Sequence, residues 1–183
     1  FDVGMTGMLG YGAAAEGMND ADVLIMLGTD FPYDQFLPDT STVQVENHPE
    51  KLGRRTSVSL PIHSDVKPLI TALLPLLDRD RSDAFLKAKV KKHSKIMHSP
   101  VGAYTRNAEH MKPIHPEYAA HILNEVASKD AIFTADTGMC NVWTARYIDP
   151  LGTRRLIGSF LHGSMANALP HAIGAQVAFP NRQ

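Results

Sequence analysis

Three stretches of this sequence carry residue types whose spacing could do chemistry. In the first, Gly4-Met5-Thr6-Gly7-Met8-Leu9-Gly10, glycines leave backbone N–H groups open and let a phosphate or a ring approach the chain closely. It lacks the G-x-G-x-x-G dinucleotide fingerprint, so as a pattern it is equally a tight turn onto a helix. The second, Gly28-Thr29-Asp30-Phe31-Pro32-Tyr33, closes an apolar run, and Glu46 closes another. An acidic side chain at a strand end can accept ribose hydroxyls or simply face solvent. The third runs from Gly158 through Ser159, His162, Gly163, Ser164, Met165 and Asn167 to Ala168. Small residues at a helix N-terminus admit an anionic or planar ligand, and Met165 would be an apolar wedge at the entrance. His162 alone reads as a loop histidine. Lys87, Lys89, Lys91, Lys92 and Lys95 could meet phosphate, but such runs are usually solvated helix faces.

The elements that must hold these residues follow from an ordinary globular composition: 183 residues, 44% hydrophobic, 20% charged, net charge -1. That balance argues against binding nucleic acid through bulk charge. Cys140 is the single cysteine, which excludes an internal disulfide and a multi-cysteine metal site and suggests a reducing compartment. No apolar run reaches the roughly 18 residues of a membrane span. Phe1-Asp2-Val3-Gly4 has neither an initiator Met nor the pattern of a secretory leader, as expected for a piece of a longer chain.

Strands and helices alternate in the first half. Asp22 to Gly28 reads as a central strand buried on both faces, Thr42 to Glu46 as a second strand, and Ser57 to Pro61 as a weaker third. Ala13 to Asn19 forms a short helix, and Val66, Leu69, Ile70, Leu73, Leu74 and Leu77 share a helical face capped by Ser64 or Asp65 and ended near Pro75. The lysine-rich stretch 81–113 reads as a linker. A second unit, 114–183, opens on a helix whose buried stripe is Tyr118, Ile122, Leu123 and Val126. It continues with a strand at Ala131 to Asp136, a helix after Thr137-Gly138, a strand at Arg155 to Gly158 and a helix from about Met165 to Phe179. The fold class is therefore α/β with doubly wound parallel sheets, the second left incomplete with two strands.

The phrases GMTGMLGYG, LIMLGTDFPY, IHPEYAAHIL, AIFTADTGMCNVWTARY and RRLIGSFLHGSMANALPHAIGAQ, in this order, resemble the thiamine-diphosphate-dependent pyruvate oxidase family over nearly the whole chain. GSFLHGSMANALP is specific for the oxidase-like branch, and the resemblance is strongest to its bacterial quinone-reducing members. The resemblance implies that residues 1–80 are the later part of a Rossmann-like central FAD domain and 114–183 the start of a thiamine-diphosphate domain. It places Thr6, Gly7, Met8, Leu9, Thr29, Asp30, Phe31, Pro32 and Tyr33 at FAD, with Glu46 where the family usually has Asp. It places Asp136, Thr137, Gly138, His162, Gly163 and Ser164 around thiamine diphosphate, with Met165 as the apolar prop and the one catalytic residue in this stretch.

The activity it implies is decarboxylation of pyruvate to acetate and CO2, with electrons passing through FAD to a quinone. A related thiamine-diphosphate enzyme, acetolactate synthase-like or a phosphate-dependent pyruvate oxidase, is the alternative; a non-enzymatic nucleotide-binding module is a more distant one. Mg2+ is a further implied cofactor, its ligands and the activating glutamate expected outside this stretch, which alone is expected to be inactive. A homo-oligomer, a homotetramer in the family, is expected, without nucleic acid. The expected location is cytoplasmic, peripheral to the membrane only through a C-terminus beyond Gln183.

Overall fold

The computed structural model describes residues 2–78 and 82–183, the side chain of Pro100 excepted. The chain divides into two compact units, Phe1–Ile96 and Met97–Gln183.

In the first unit, β1 (Gly4–Met5) and β2 (Tyr11–Gly12) pair antiparallel, so the glycine stretch is the connection of a small hairpin rather than a loop running directly onto a helix. Helix α1 (Ala14–Asn19) follows. A parallel sheet is then built from β3 (Val23–Leu27), β4 (Ser41–Glu46) and β5 (Leu60–His63) in the order β3-β4-β5. Its register sets Val23 beside Ser41 and Leu27 beside Val45, and Val43 beside Leu60. The expected central strand β3 therefore lies at the edge, with Val23, Ile25 and Leu27 exposed and Met26 buried. The middle place belongs to β4, where Thr42, Gln44, Val45 and Glu46 are all buried. An unbroken apolar run marks a strand that can be buried on both faces; it does not set the strand's place in the sheet. The third strand starts three residues later than expected.

Helix α2 (Val66–Leu73) starts after Asp65 and gives way at Pro75 to a 3-10 turn over Leu74–Leu76. Its leucine stripe has the helical period, yet Ile70, Leu73, Leu74, Leu76 and Leu77 are all exposed. The expected linker is split between the units: α3 (Ala84–Ile96) belongs to the first, and the residues from Met97 onward to the second. The lysine run is not simply a solvated face. Lys89 is only 7% exposed. Its Nζ donates to Glu16 Oε1 at 2.8 Å and to Asp20, and it stands 5.4 Å from the Phe85 ring centroid.

The second unit holds α4 (Pro116–Val126), β6 (Ile132–Ala135), α5 (Met139–Tyr147), β7 (Arg155–Gly158) and α6 (Ala168–Ala178). Strands β6 and β7 pair in parallel, Ala135 opposite Gly158, so their carboxyl ends lie side by side. Arg154 ties α4 to this sheet by donating to the carbonyls of Asn124, Ala127 and Ser128 at 2.9, 2.6 and 2.9 Å. Tyr147 is buried, and its hydroxyl donates to the Val101 carbonyl at 2.9 Å. Against the sequence reading, Leu123 and Val126 of the α4 stripe are exposed.

Candidate functional site

Two clusters gather the candidate residues, one in each unit. In the first unit, the hairpin turn holding Thr6, Gly7, Met8 and Leu9 meets the loop after β3. A Cβ added at Gly7 would lie 3.3 Å from Phe31 Cζ and 3.9 Å from Tyr33 Cδ2, and Gly7 has φ +88. The positive φ favours glycine here, and a side chain would crowd the Phe31 ring. Phe31 and Tyr33 meet edge to face at 6.1 Å, and Tyr33 meets Phe36 in the same manner at 6.3 Å. Pro32 between the rings restricts the backbone that presents them. Met8, next in the chain to Gly7, is exposed.

Asp30 turns toward two arginines that the sequence reading missed. Arg54 Nη2 donates to Asp30 Oδ2 at 2.8 Å, and Arg55 Nε to Oδ1 at 3.2 Å. The pairs are 24 and 25 residues apart in sequence, and no local pattern links them. Gly28, Asp30, Glu46, Asn47, His48, Lys51, Ser64, Asp65 and Val66 line a cleft of about 380 Å³ at the carboxyl ends of the three parallel strands. Glu46 is buried, and its Oε1 accepts the His48 N–H at 3.1 Å. A carboxylate so fixed at a strand end is placed to accept a hydroxyl within that cleft.

In the second unit, the loops after β6 and β7 converge. Asp136 Oδ1 accepts three hydrogen bonds: from the Asn167 N–H at 2.6 Å, from Asn167 Nδ2 at 3.0 Å and from the Ala168 N–H at 3.0 Å. Thr137 Oγ1 donates to the Ser164 carbonyl at 2.8 Å, and Asn167 Nδ2 donates to the same oxygen at 2.6 Å. The loop closes on itself as Gly163 N–H donates to the Ser159 carbonyl at 2.8 Å and Ser164 N–H to Ser159 Oγ at 3.1 Å. Gly138 precedes α5 with φ +140, a conformation for glycine, and a Cβ there would meet nothing within 4 Å. The backbone is therefore open to a neighbour at that point.

Helix α6 begins at Ala168, not near Met165. Ala166 stands in the left-handed region at φ +59 and interrupts the helix before it can form. Met165 consequently lies in the loop and is 80% exposed. His162 is exposed. Asn167, which the sequence reading included in this stretch without a role of its own, ties the loop together. The first N–H groups of α6 are already taken by Asp136, so this helix end presents the chain's own carboxylate rather than a vacant anion site.

Comparison with known proteins follows the same division. Residues 1–73 match the family model of the thiamine pyrophosphate enzyme central domain, and residues 136–183 that of the C-terminal thiamine pyrophosphate binding domain. The chain is 32% identical over 182 residues to the protein YdaP of Bacillus subtilis, covering 99% of this chain and 31% of that protein. It is 30% identical over 197 residues to an acetolactate synthase large subunit of Mycobacterium tuberculosis, covering 100% of this chain and 30% of that one. To the acetolactate synthase large subunit of Lactococcus lactis it is 30% identical over 189 residues, covering 98% of this chain and 31% of the relative. The chain thus spans about a third of the length of these relatives. With both domain types matched in order, and with the cofactor-domain match spanning the converging loops after β6 and β7, the chain belongs to the thiamine pyrophosphate enzyme family.

Proposed function

We propose that this chain is the cofactor-holding part of a thiamine-diphosphate-dependent enzyme acting on pyruvate. The observation that carries the reading is the meeting of Asp136, Thr137 and Gly138 with the loop from Ser159 to Asn167, inside the stretch that matches the cofactor-binding domain. The residues fit such a group. Gly138 leaves an opening, Asn167 Oδ1 is buried without a protein partner, and Met165 offers an apolar side chain standing clear of the fold. Thiamine diphosphate, when bound, supplies a carbon nucleophile for the substrate carbonyl and an electron sink for the pair released with CO2. Gly163, Ser164, Thr137 and Gly138 would hold it through backbone and hydroxyl groups, with His162 beside them. Met165 would support its rings and exclude water from the reacting face. Mg2+ would be held by other parts of the protein.

The relatives' names favour one outcome, the joining of two pyruvates to acetolactate with loss of one CO2. Oxidation of pyruvate and water to acetate and CO2, with two electrons leaving to a quinone, is the second reading and requires FAD. It is favoured by the aromatic edge on Gly7 and by the cleft beside Glu46. Thr6, Gly7, Met8, Leu9, Thr29, Phe31, Pro32, Tyr33 and Glu46 would hold the flavin nucleotide, while Asp30 is engaged by its arginines. Full-length protein supplied with pyruvate, thiamine diphosphate and Mg2+ should form acetolactate. Acetate with quinone reduction and no acetolactate would transfer the assignment to the second reading. Failure to consume pyruvate at all would overturn the proposal.

A further inference from the structure

We propose that Asp136 is a positioning residue and not a ligand contact: its carboxylate fixes the loop from Ser159 to Asn167 in the shape that projects Met165, an inference that rests on the thiamine diphosphate reading above. The loop begins directly after β7 and ends where α6 starts, so both its ends are fixed by regular structure. Its middle is not. There Ala166 holds a left-handed conformation that an alanine leaves unless its surroundings over-determine it. Those surroundings are a bracket anchored on the end of β6. Asp136 takes both N–H groups that follow Ala166 along the chain, those of Asn167 and Ala168, while Thr137 and Asn167 take the carbonyl of Ser164 two residues before it. Met165, held between these fastenings, is 80% exposed and stands clear of the fold.

A carboxylate is suited to this task because it complements the positive end of the α6 dipole and accepts three donors at one oxygen. The same occupation argues against ligand contact through that oxygen. An anionic ligand arriving at this helix end would have to displace a charge-assisted cluster and would meet a like charge.

The test compares full-length wild type with Asp136→Asn and Asp136→Ala by two measurements. In amide hydrogen exchange, Asp136→Ala should accelerate Asn167 and Ala168, while Asp136→Asn, whose side-chain oxygen accepts in the same place, should leave them protected. In calorimetric titration with thiamine diphosphate and Mg2+, Asp136→Ala should weaken binding at least about tenfold, as loss of a supporting contact behind a binding group commonly does. Asp136→Asn should restore most of that affinity. If the asparagine variant loses as much affinity as alanine while its amides stay protected, the negative charge itself meets the ligand and the inference is overturned. Unchanged exchange and affinity in the alanine variant would overturn it too. Wild type that binds no thiamine diphosphate would instead sink the functional reading, while the exchange comparison still decides whether the bracket exists.

Discussion

Met165 is largely exposed, so its side chain adds little to the stability of its unit. Met165→Ala should therefore change the unfolding free energy by less than about 0.5 kcal/mol, as surface substitutions do. Turnover and thiamine diphosphate affinity of the full-length enzyme should both fall far more, and Met165→Leu, which keeps the apolar bulk, should recover most of each. Parallel losses of melting temperature and activity in both variants would contradict the assignment. At Phe31 and Tyr33 the reasoning is similar but bears on the second reading of function. The rings cover Gly7, and the double change Phe31→Ala with Tyr33→Ala removes the wall that the glycine turn leans on. Flavin content of the purified full-length double variant should drop while the far-ultraviolet circular dichroism is retained. Full flavin stoichiometry would show that these rings serve only the hairpin.

Helix α3 shows what one buried cation does for an element of mixed polarity. Most of its lysines are exposed, so its seat on α1 depends on Lys89, with Lys92 also paired to Glu16. Lys89→Ala should destabilise the first unit by about 1–3 kcal/mol in denaturant unfolding, the lower end favoured because Glu16 and Asp20 stay partly solvated. An unchanged midpoint would mean that neither the charge nor the stem of Lys89 seats the helix. In α5, burial pushes the Tyr147 hydroxyl above its ordinary pKa, and the nearby Glu117 adds to the shift. The folded state thus favours the protonated phenol. Its contribution is complete below the unfolded value of about 10 and is lost as pH rises through the higher folded value. Tyr147→Phe should cost about 1–2 kcal/mol at neutral pH, since the Val101 carbonyl loses its donor, and the gap to wild type should narrow above about pH 10. A gap independent of pH in thermal melts would contradict this. Such elements were legible in the sequence to different depths. The runs Val23–Leu27 and Ile132–Ala135 announced strands by their continuous apolar signature, although Val23, Ile25 and Leu27 on one face of β3 are exposed. Strand order carries no such local mark, and β3 was misplaced. The split of 81–113 was hidden for a related reason: the buried Lys89 bonds to partners 69 and 73 residues away. At the site, motif residues identified the loops, but the Asp136–Asn167 bracket and the Asp30–Arg54 pair depend on contacts that no spacing rule reaches.

Across the whole molecule, large apolar side chains remain exposed on every unit: Leu76 and the edge strand β3 in the first, Leu161, Leu169, Ile173 and Val177 in the second. Leu161 is 95% exposed, and Leu169, Ile173 and Val177 recur at the four-residue spacing that lines one side of a helix. Apolar area on this scale favours association in water. The 183-residue chain by itself should therefore sediment as concentration-dependent oligomers and bind a hydrophobic dye, whereas a monodisperse monomer that excludes dye would show the surface to be less sticky than its composition implies. No helix among the described residues is long and apolar enough to cross a membrane. What unites both units is the proposal that they serve one thiamine-diphosphate enzyme, and binding of that cofactor tests it most directly. Isothermal titration of the full-length protein with thiamine diphosphate in the presence of Mg2+ should give saturable binding at one site per chain, weakened by Met165→Ala. Absence of saturable binding, or binding indifferent to that substitution, would contradict the account.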